Sequence, residues 1–206
     1  MFKVFFFFAA GCVLVPTIIG LVNYRLHQPD MKALIWFMVL STFTELAADI
    51  CYFYHINNYP ILHIFTLIEF GFLSYIFSKQ IHRVISTRVI GAIAILFIIG
   101  SILNSIFIQS LFSFNTYARG VEFLIILLYA IILMFELSNR EMISLKVEPV
   151  FWFTVSVLVY YASSFFVIIS TNILYKQMFI IWTIHNVFLL IHYLLFGKAL
   201  WIKRAH

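Results

Sequence analysis

The chain has 206 residues, of which 64% are hydrophobic and only 10% are charged, and its mean hydropathy is +1.06. A soluble domain carries about 25% charged residues, so most of the surface of this protein must face lipid. The net charge of +5 does not indicate nucleic acid, because the basic residues stand at the ends of apolar runs, where they set orientation and meet anionic headgroups. The composition therefore predicts an integral membrane protein.

Seven apolar stretches separated by short joins predict an all-α fold, a bundle of seven transmembrane helices. A spanning helix needs about 20 mostly apolar residues. We predict helices at residues 2–22, 33–54, 61–77, 89–108, 121–137, 150–170 and 178–200, in a single transmembrane domain that covers residues 1–206. The first stretch is interpreted as a helix and not as a cleaved signal peptide, because its apolar run continues past Cys12 to Val22. Pro16 predicts a kink in that helix.

Lysine and arginine are distributed unequally between the two sets of joins. One set holds ten of them: Arg25, Lys32, Lys79, Arg83, Arg88, Arg140, Lys146, Lys198, Lys203 and Arg204. The other set holds three: Lys3, Arg119 and Lys176. Because basic residues favour the cytoplasmic side, we expect a multi-pass protein of the cell inner membrane, with the N-terminus outside and the C-terminus inside.

Polar side chains inside the predicted spans are the candidate functional residues. Such groups are costly in lipid, usually face the bundle interior and often mark function. Most of them fall in the half of the bilayer that the predicted orientation places outside. They predict an outward-facing polar pocket lined by Glu45, Asp49, His63, Glu69, Asn104, Glu122, His185 and Asn186.

Helical spacing supports a common orientation for these groups. Residues four or seven apart share one face of a helix, so each of several helices carries a polar stripe. The stripes are Glu45 with Asp49, His185 with His192, Glu122 with Tyr129 and Glu136, and Ser156 with Tyr160 and either Ser163 or Ser164. Arg119 and Glu122, three apart, predict a local ion pair. The alternative is that these side chains only link helices through hydrogen bonds.

Three functions fit such a pocket. The first choice is a non-enzymatic sensor or ligand-binding protein that signals to a membrane partner or to a second copy of the chain. The second is a metal-dependent intramembrane lipid hydrolase, in which zinc would be held by His63, His185 and one acid, Glu69 or alternatively Asp49 or Glu45. The third is a small proton- or cation-coupled transporter that uses the acids as a relay. Whether the protein is an enzyme stays open, with a non-enzymatic role favoured.

The sequence does not identify a cofactor. Besides zinc, a haem could be held axially by His63 and His185, although only the two histidines favour it. Retinal is disfavoured, because the last helix has no lysine near its middle. Seven-helix zinc hydrolases of the alkaline ceramidase type carry two close histidines on their last helix. His185 and His192 are seven residues apart, so no residue role is transferred from those enzymes.

A wider pattern of residues runs through nearly the whole chain. It comprises Glu45, the run His-Ile-Phe-Thr-Leu-Ile-Glu at residues 63–69, Asn104, Glu122, Trp152 after Pro149, and Ile-Trp-Thr-Ile-His-Asn at residues 181–186. With this pattern the chain resembles a group of uncharacterised bacterial seven-helix integral membrane proteins. The resemblance implies the fold and supplies no activity.

Overall fold

The computed structural model describes residues 11–139, 145–173 and 178–202. Within these ranges the chain is helical and contains no strand. The α-helices are α1 (Leu14–Val22), α2 (Pro29–Phe53), α3 (Tyr59–Gln80), α4 (Thr87–Phe107), α5 (Thr116–Ser138), α6 (Pro149–Ile173) and α7 (Met178–Trp201). Short 3-10 turns at Tyr24–Leu26 and Leu145–Val147 precede α2 and α6. The all-α class predicted from the sequence is confirmed for this part of the chain.

Six of the described helices, α2 to α7, are long and apolar enough to cross a membrane. This apolar helical bundle fits a multi-pass membrane protein. The first predicted span is described only from Gly11 onwards, and its residues 2–10 lie outside the described ranges. So do five of the basic residues that were used to predict orientation: Lys3, Arg140, Lys176, Lys203 and Arg204.

The largest difference from the predicted spans is at the start of α5. This helix begins at Thr116 and not at residue 121, so Arg119 lies inside a helix and not in a join. An arginine was interpreted as the end of an apolar span because a lone charge is costly in lipid. Arg119 is paired with carboxylates, so the helix continues across it.

The helices form a ring of six with one helix outside it. α2 packs against α3, α3 against α5, α5 against α6, and α6 against α7. α1 closes the ring because it packs against both α2 and α7. α4 lies outside, mainly against α3 and in small part against α5. A residue on the inner face of α4 therefore meets another helix and not the centre of the ring.

A close approach at Gly20 lets α1 close the ring. A Cβ atom at this position would stand 2.8 Å from Cγ1 of Ile35 on α2 and 3.1 Å from Cδ1 of Leu200 on α7. One turn earlier, the hydroxyl of Thr17 lies 3.0 Å from the hydroxyl of Thr42 on α2. Small side chains and hydroxyl contacts are typical of helix packing in membranes.

Pro16 interrupts the helical hydrogen bonding at the start of α1. Because proline has no N–H, the carbonyl of Cys12 accepts a hydrogen bond from the amide of Val15 at 3.2 Å. Cys12 and Val13 adopt a turn, and regular helix begins at Leu14. The irregularity predicted from Pro16 is thus found one turn before it.

The helix ends at one side of the bundle are tied together by polar contacts. We call this side the His82 end and define it by residues 23–28, 81–86 and 145–148. There the carbonyl of Leu200 at the end of α7 lies 3.0 Å from Nε2 of His27, and Gln80 donates to Asp30. The carboxylate of Glu136 accepts the backbone N–H groups of residues 82–84 at 2.9–3.2 Å. The bonds of His27 and Glu136 engage backbone groups that the ends of helices and connections would otherwise leave unpaired.

The half of the bundle next to the His82 end is filled by an apolar core. Side chains with no exposed surface come from five helices of the ring: Leu34, Ile35, Leu73, Ile76, Phe77, Leu133, Phe153, Val157, Phe196 and Leu200. The rings of Phe153 and Phe196 stack with centroids 5.7 Å apart. The opposite side, which we call the Asn58 end, is formed by residues 54–58 and 108–115.

The contact at Gly20 makes a stability prediction. Gly20→Ala places a methyl group against Ile35 and Leu200, so we expect a loss of about 1–3 kcal/mol in the free energy of unfolding. The measurement is the midpoint of denaturation of the purified protein in detergent. Gly91→Ala on α4 is the matched control, because no atom lies within 4 Å of a Cβ at that position. Equal stability of the two variants would show that α1 does not pack at Gly20 as described.

Candidate functional site

A cavity of about 610 Å³ occupies the half of the bundle next to the Asn58 end. Its wall comes from α2, α3, α5, α6 and α7, together with residues 58, 114 and 115 of the connections. The cavity is open and not enclosed, and it reaches the surface beside Tyr52 and Phe114, whose side chains are 54% and 37% exposed. At its deep end it meets Phe37, Met38 and the apolar core.

Five of the eight sequence-predicted residues line this cavity: Glu45, Asp49, Glu69, His185 and Asn186. The stripe predicted on helix two is visible in the wall, because Ser41, Glu45 and Asp49 recur every four residues and share one face of α2. Other polar lining residues are Thr44, Tyr52, Asn58, Asn115, Arg119, Tyr160, Ser164, Trp182, His192 and Tyr193.

Glu69 is held by an arginine and a tyrosine from two other helices. Arg119 Nη1 on α5 donates to Glu69 Oε2 and also to Glu122 Oε2, at 2.9 Å. The hydroxyl of Tyr161 on α6 donates to Glu69 Oε1 at 2.6 Å. The guanidinium carbon lies 5.8 Å from the ring centre of Phe65. Both oxygens of Glu69 are therefore engaged, and this cluster joins α3, α5 and α6.

The local pair of Arg119 with Glu122 was predicted, whereas its pairing with Glu69 was missed by sequence reasoning. Arg119 had been placed in a join, outside the membrane-spanning helices. The signal that could have found it is Glu69 itself, an acid near the middle of α3 (Tyr59–Gln80). A buried acid at that depth needs a cation within reach.

The two carboxylates of α2 have no such partner. The two ion pairs that join described residues to one another both involve Arg119, so among the described residues Glu45 and Asp49 face the cavity without a cation. Glu45 has the hydroxyl of Tyr193 on α7 as a hydrogen-bonding neighbour. Asp49, one turn closer to the Asn58 end, makes neither a hydrogen bond nor an ion pair with the described residues. The cavity wall formed by α2 therefore carries two carboxyl groups that no described cation neutralises.

Two histidines of α7 also line the cavity, at different depths. His185 Nδ1 is 3.4 Å from the hydroxyl of Ser164, and its ring packs against Trp182 with centroids 5.5 Å apart. Deeper in the bundle, His192 is buried, lies 2.9 Å from the hydroxyl of Ser156 and stacks on Tyr160. His185 is thus the histidine that is more loosely held.

Three of the eight predicted residues do not line the cavity. Both ring nitrogens of His63 are engaged, Nδ1 with Ser105 Oγ of α4 at 3.0 Å and Nε2 with the carbonyl of Ser113 at 3.1 Å. Asn104 is buried on α4, the helix outside the ring. Glu122 lies behind the wall with no exposed surface, paired to Arg119.

The position of His63 follows from helix geometry. Residues His63 and Glu69 are six apart, which rotates them by roughly 120° around the axis of α3. Glu69 faces the ring, and His63 consequently faces α4. His63, Thr66 and Glu69 are spaced three residues apart in the sequence. Their side chains therefore spread around the helix and do not form one stripe.

The predicted zinc ligands His63, His185 and Glu69 are not assembled. In the part of the chain that the structure describes, no three histidine, cysteine, aspartate or glutamate side chains come together as a metal site. Glu69 is engaged by Arg119 and Tyr161, and His63 is engaged through both ring nitrogens. The same contacts of His63 stand against its pairing with His185 around a haem.

Asn115 is a lining residue that sequence reasoning missed. It precedes α5 and is buried, with 3% of its surface exposed. Its Nδ2 donates to the hydroxyl of Thr66 at 3.0 Å, while its Oδ1 is buried and accepts no hydrogen bond from the residues that the structure describes. Nothing in the sequence separates this asparagine from the other asparagines of the joins, because its burial results from the packing of the 108–115 connection onto α3.

The cluster around Arg119 makes a second stability prediction. Arg119→Met leaves the buried carboxylates of Glu69 and Glu122 without a cation, and breaking a buried pair in this way costs about 3–5 kcal/mol. Tyr161→Phe removes one hydrogen bond to Glu69, and we expect a smaller loss of about 1–3 kcal/mol. Denaturation midpoints and free energies of unfolding in mixed micelles measure both.

A combined variant serves as the control for this prediction. Adding Glu69→Gln and Glu122→Gln to Arg119→Met removes the stranded charges, so it should recover part of the lost stability. If Arg119→Met alone were as stable as the wild-type protein, the guanidinium would not hold the two carboxylates.

Comparisons with protein-family models, with curated proteins and with solved structures found no match to this chain. This agrees with a resemblance that points to no characterised family. The function must therefore be argued from the geometry of the cavity.

Proposed function

We propose that the protein is a non-enzymatic sensor or ligand-binding protein of the inner membrane, which binds a small molecule in the cavity. The observation that carries this proposal is the open cavity of about 610 Å³, a volume within the range of small-molecule sites. Its wall combines apolar rings with a few polar groups, as such sites do. Occupancy of the cavity would be passed through the helices to a membrane partner or to a second copy of the chain.

The apolar core favours binding over transport. A transporter must expose its site to each side of the membrane in turn, through rearrangement of its helices. Here the deep end of the cavity rests on a core with side chains such as Phe77, Phe153 and Phe196, which have no exposed surface. A cavity whose deep end is closed by packed side chains is the arrangement that a receptor needs.

The charge distribution favours an outward-facing mouth. Seven described basic residues belong to the His82 end or to the helix turns beside it: Arg25, Lys32, Lys79, Arg83, Arg88, Lys146 and Lys198. Arg119, the described basic residue nearest the Asn58 end, is buried in an ion-pair cluster and is not free to meet headgroups. By the positive-inside rule the His82 end is cytoplasmic, and a seven-span protein then has its N-terminus outside.

Reporter fusions test this orientation. We expect a fusion at His206 to report the inside and an insertion between Asn57 and Asn58 to report the outside, because the basic residues hold the His82 end in the cytoplasm. Paired alkaline phosphatase and green fluorescent protein reporters give the readout. An insertion after His82 is the control and should behave as the fusion at His206 does. Finding the His206 and Asn57–Asn58 reporters on the same side would contradict the seven-span topology.

Thiol labelling tests whether water and solutes reach the cavity. In a background where Cys12 and Cys51 are replaced by alanine, we expect Ala48→Cys to react rapidly with a charged, membrane-impermeant thiol reagent. Ala48 lines the cavity, where water allows the reactive thiolate to form. Labelling rates in intact cells measure both access and the side of the mouth.

Leu46→Cys is the matched control, since Leu46 lies at nearly the same depth on α2 but is 56% exposed on the outer surface of the bundle. A thiol that faces lipid should react slowly, because lipid disfavours its ionised form. Equal rates at the two positions would mean that solutes do not reach the cavity, and the proposed function would fail.

A further inference from the structure

We propose that the ligand is a protonated amine with an aromatic or aliphatic body. This inference rests on the proposed function and adds the chemical class of the ligand. It comes from one feature of the cavity: the two acids of α2 have no cationic partner among the described residues and the Oδ1 of Asn115 accepts no hydrogen bond from them, whereas the arginine of the wall is already engaged.

The acidic side chains on the cavity wall favour a cationic ligand. Arg119 is paired with Glu69 and Glu122, so it offers little to an anionic ligand. Glu45 and Asp49, one turn apart on α2, line the cavity with no cationic partner among the described residues. Unpaired charges in a medium of low dielectric constant are costly, and opposite charges attract more strongly there than in water. A ligand cation placed between these carboxylates would remove that cost.

A buried amide supplies an independent observation. Asn115 lines the cavity and is 3% exposed, and its Oδ1 has no hydrogen-bond partner within the described part of the chain. Its Nδ2 is already engaged with Thr66, so the unfilled position is an acceptor. A buried acceptor without a partner costs about 1–3 kcal/mol. An ammonium group has three N–H donors and no acceptor. It can therefore donate to the carboxyl groups of Glu45 and Asp49 and to the Oδ1 of Asn115, which are all acceptors.

The rest of the wall selects an organic cation over an inorganic one. Eight aromatic rings line the cavity: Phe37, Tyr52, Phe65, Phe114, Phe123, Tyr160, Trp182 and Tyr193. Aromatic faces attract ammonium groups and also bury the apolar body of an amine. A metal ion would use none of this surface, and a volume of about 610 Å³ is far larger than one ion needs.

Binding of three matched probes to the purified full-length protein in detergent tests the inference. The probes are 2-phenylethylammonium, its neutral analogue 2-phenylethanol and the anion phenylacetate, which share one ring and differ in charge. We expect isothermal titration calorimetry to show the ammonium binding at least about tenfold more tightly than the alcohol, with no measurable binding of phenylacetate.

Charge-removing variants locate the binding. Glu45→Gln and Asp49→Asn keep the shape of each side chain, and each should weaken binding of 2-phenylethylammonium by about tenfold or more. Glu148→Gln is the matched control, because Glu148 is an acid at the His82 end that does not line the cavity; its affinity should equal that of the wild-type protein. Denaturation midpoints verify that the variants are folded. If a variant does not fold, the probe series on the wild-type protein decides alone.

The outcomes separate this inference from the proposed function. Tighter binding of phenylacetate or of 2-phenylethanol, wild-type affinity in both α2 variants, or no binding of the ammonium at millimolar concentration would overturn the amine as ligand. If Ala48→Cys nevertheless reacts rapidly, the cavity stays an open site for a ligand of another class. If Ala48→Cys reacts no faster than Leu46→Cys, the proposed function itself fails.

Discussion

The burial of the guanidinium of Arg119 between two carboxylates is the interaction on which the half of the bundle next to the Asn58 end depends. An isolated charge in this apolar setting would be costly, and α5 could not continue through it. Pairing with Glu69 and Glu122 lets the helix start at Thr116, and the bond from Tyr161 extends the cluster to α6. Three helices of the ring are thereby joined at the level where the cavity opens between them.

The bundle is divided into a packed half and an open half. Towards the His82 end, large side chains such as Phe77 and Phe196 are fully buried and the connections are bonded to helix ends, as Glu136 bonds residues 82–84. Towards the Asn58 end, the polar stripe of α2 and polar residues of α7 line the cavity. A binding site on a stable scaffold requires this arrangement, with rigid packing towards the His82 end and polar groups towards the Asn58 end.

Polar residues of similar depth acquire different roles from the direction in which they face. His63 and His185 were both candidates, yet His63 bonds α4 and the 108–115 connection, whereas His185 faces the cavity. Asn104 is excluded from the wall because α4 lies outside the ring. The depth of a residue follows from counting residues along a span. What the residue faces depends on which helices are neighbours in the bundle, and this arrangement cannot be read directly from the sequence.

The sequence by itself determined the membrane character, the positions of the long helices and the stripe of Glu45 and Asp49, because hydropathy and helical spacing are local properties. It also determined that a pair of Arg119 and Glu122 would form, since three residues of helix bring them together. Only the tertiary structure decided that Arg119 also pairs with Glu69 and that the Oδ1 of Asn115 is buried without a donor among the described residues. It likewise decided that His63 bonds to Ser105 and Ser113 and does not face the cavity. These depend on contacts between residues about 50 positions apart in the chain, which arise when α3, α5 and their connections pack together and which no local pattern specifies.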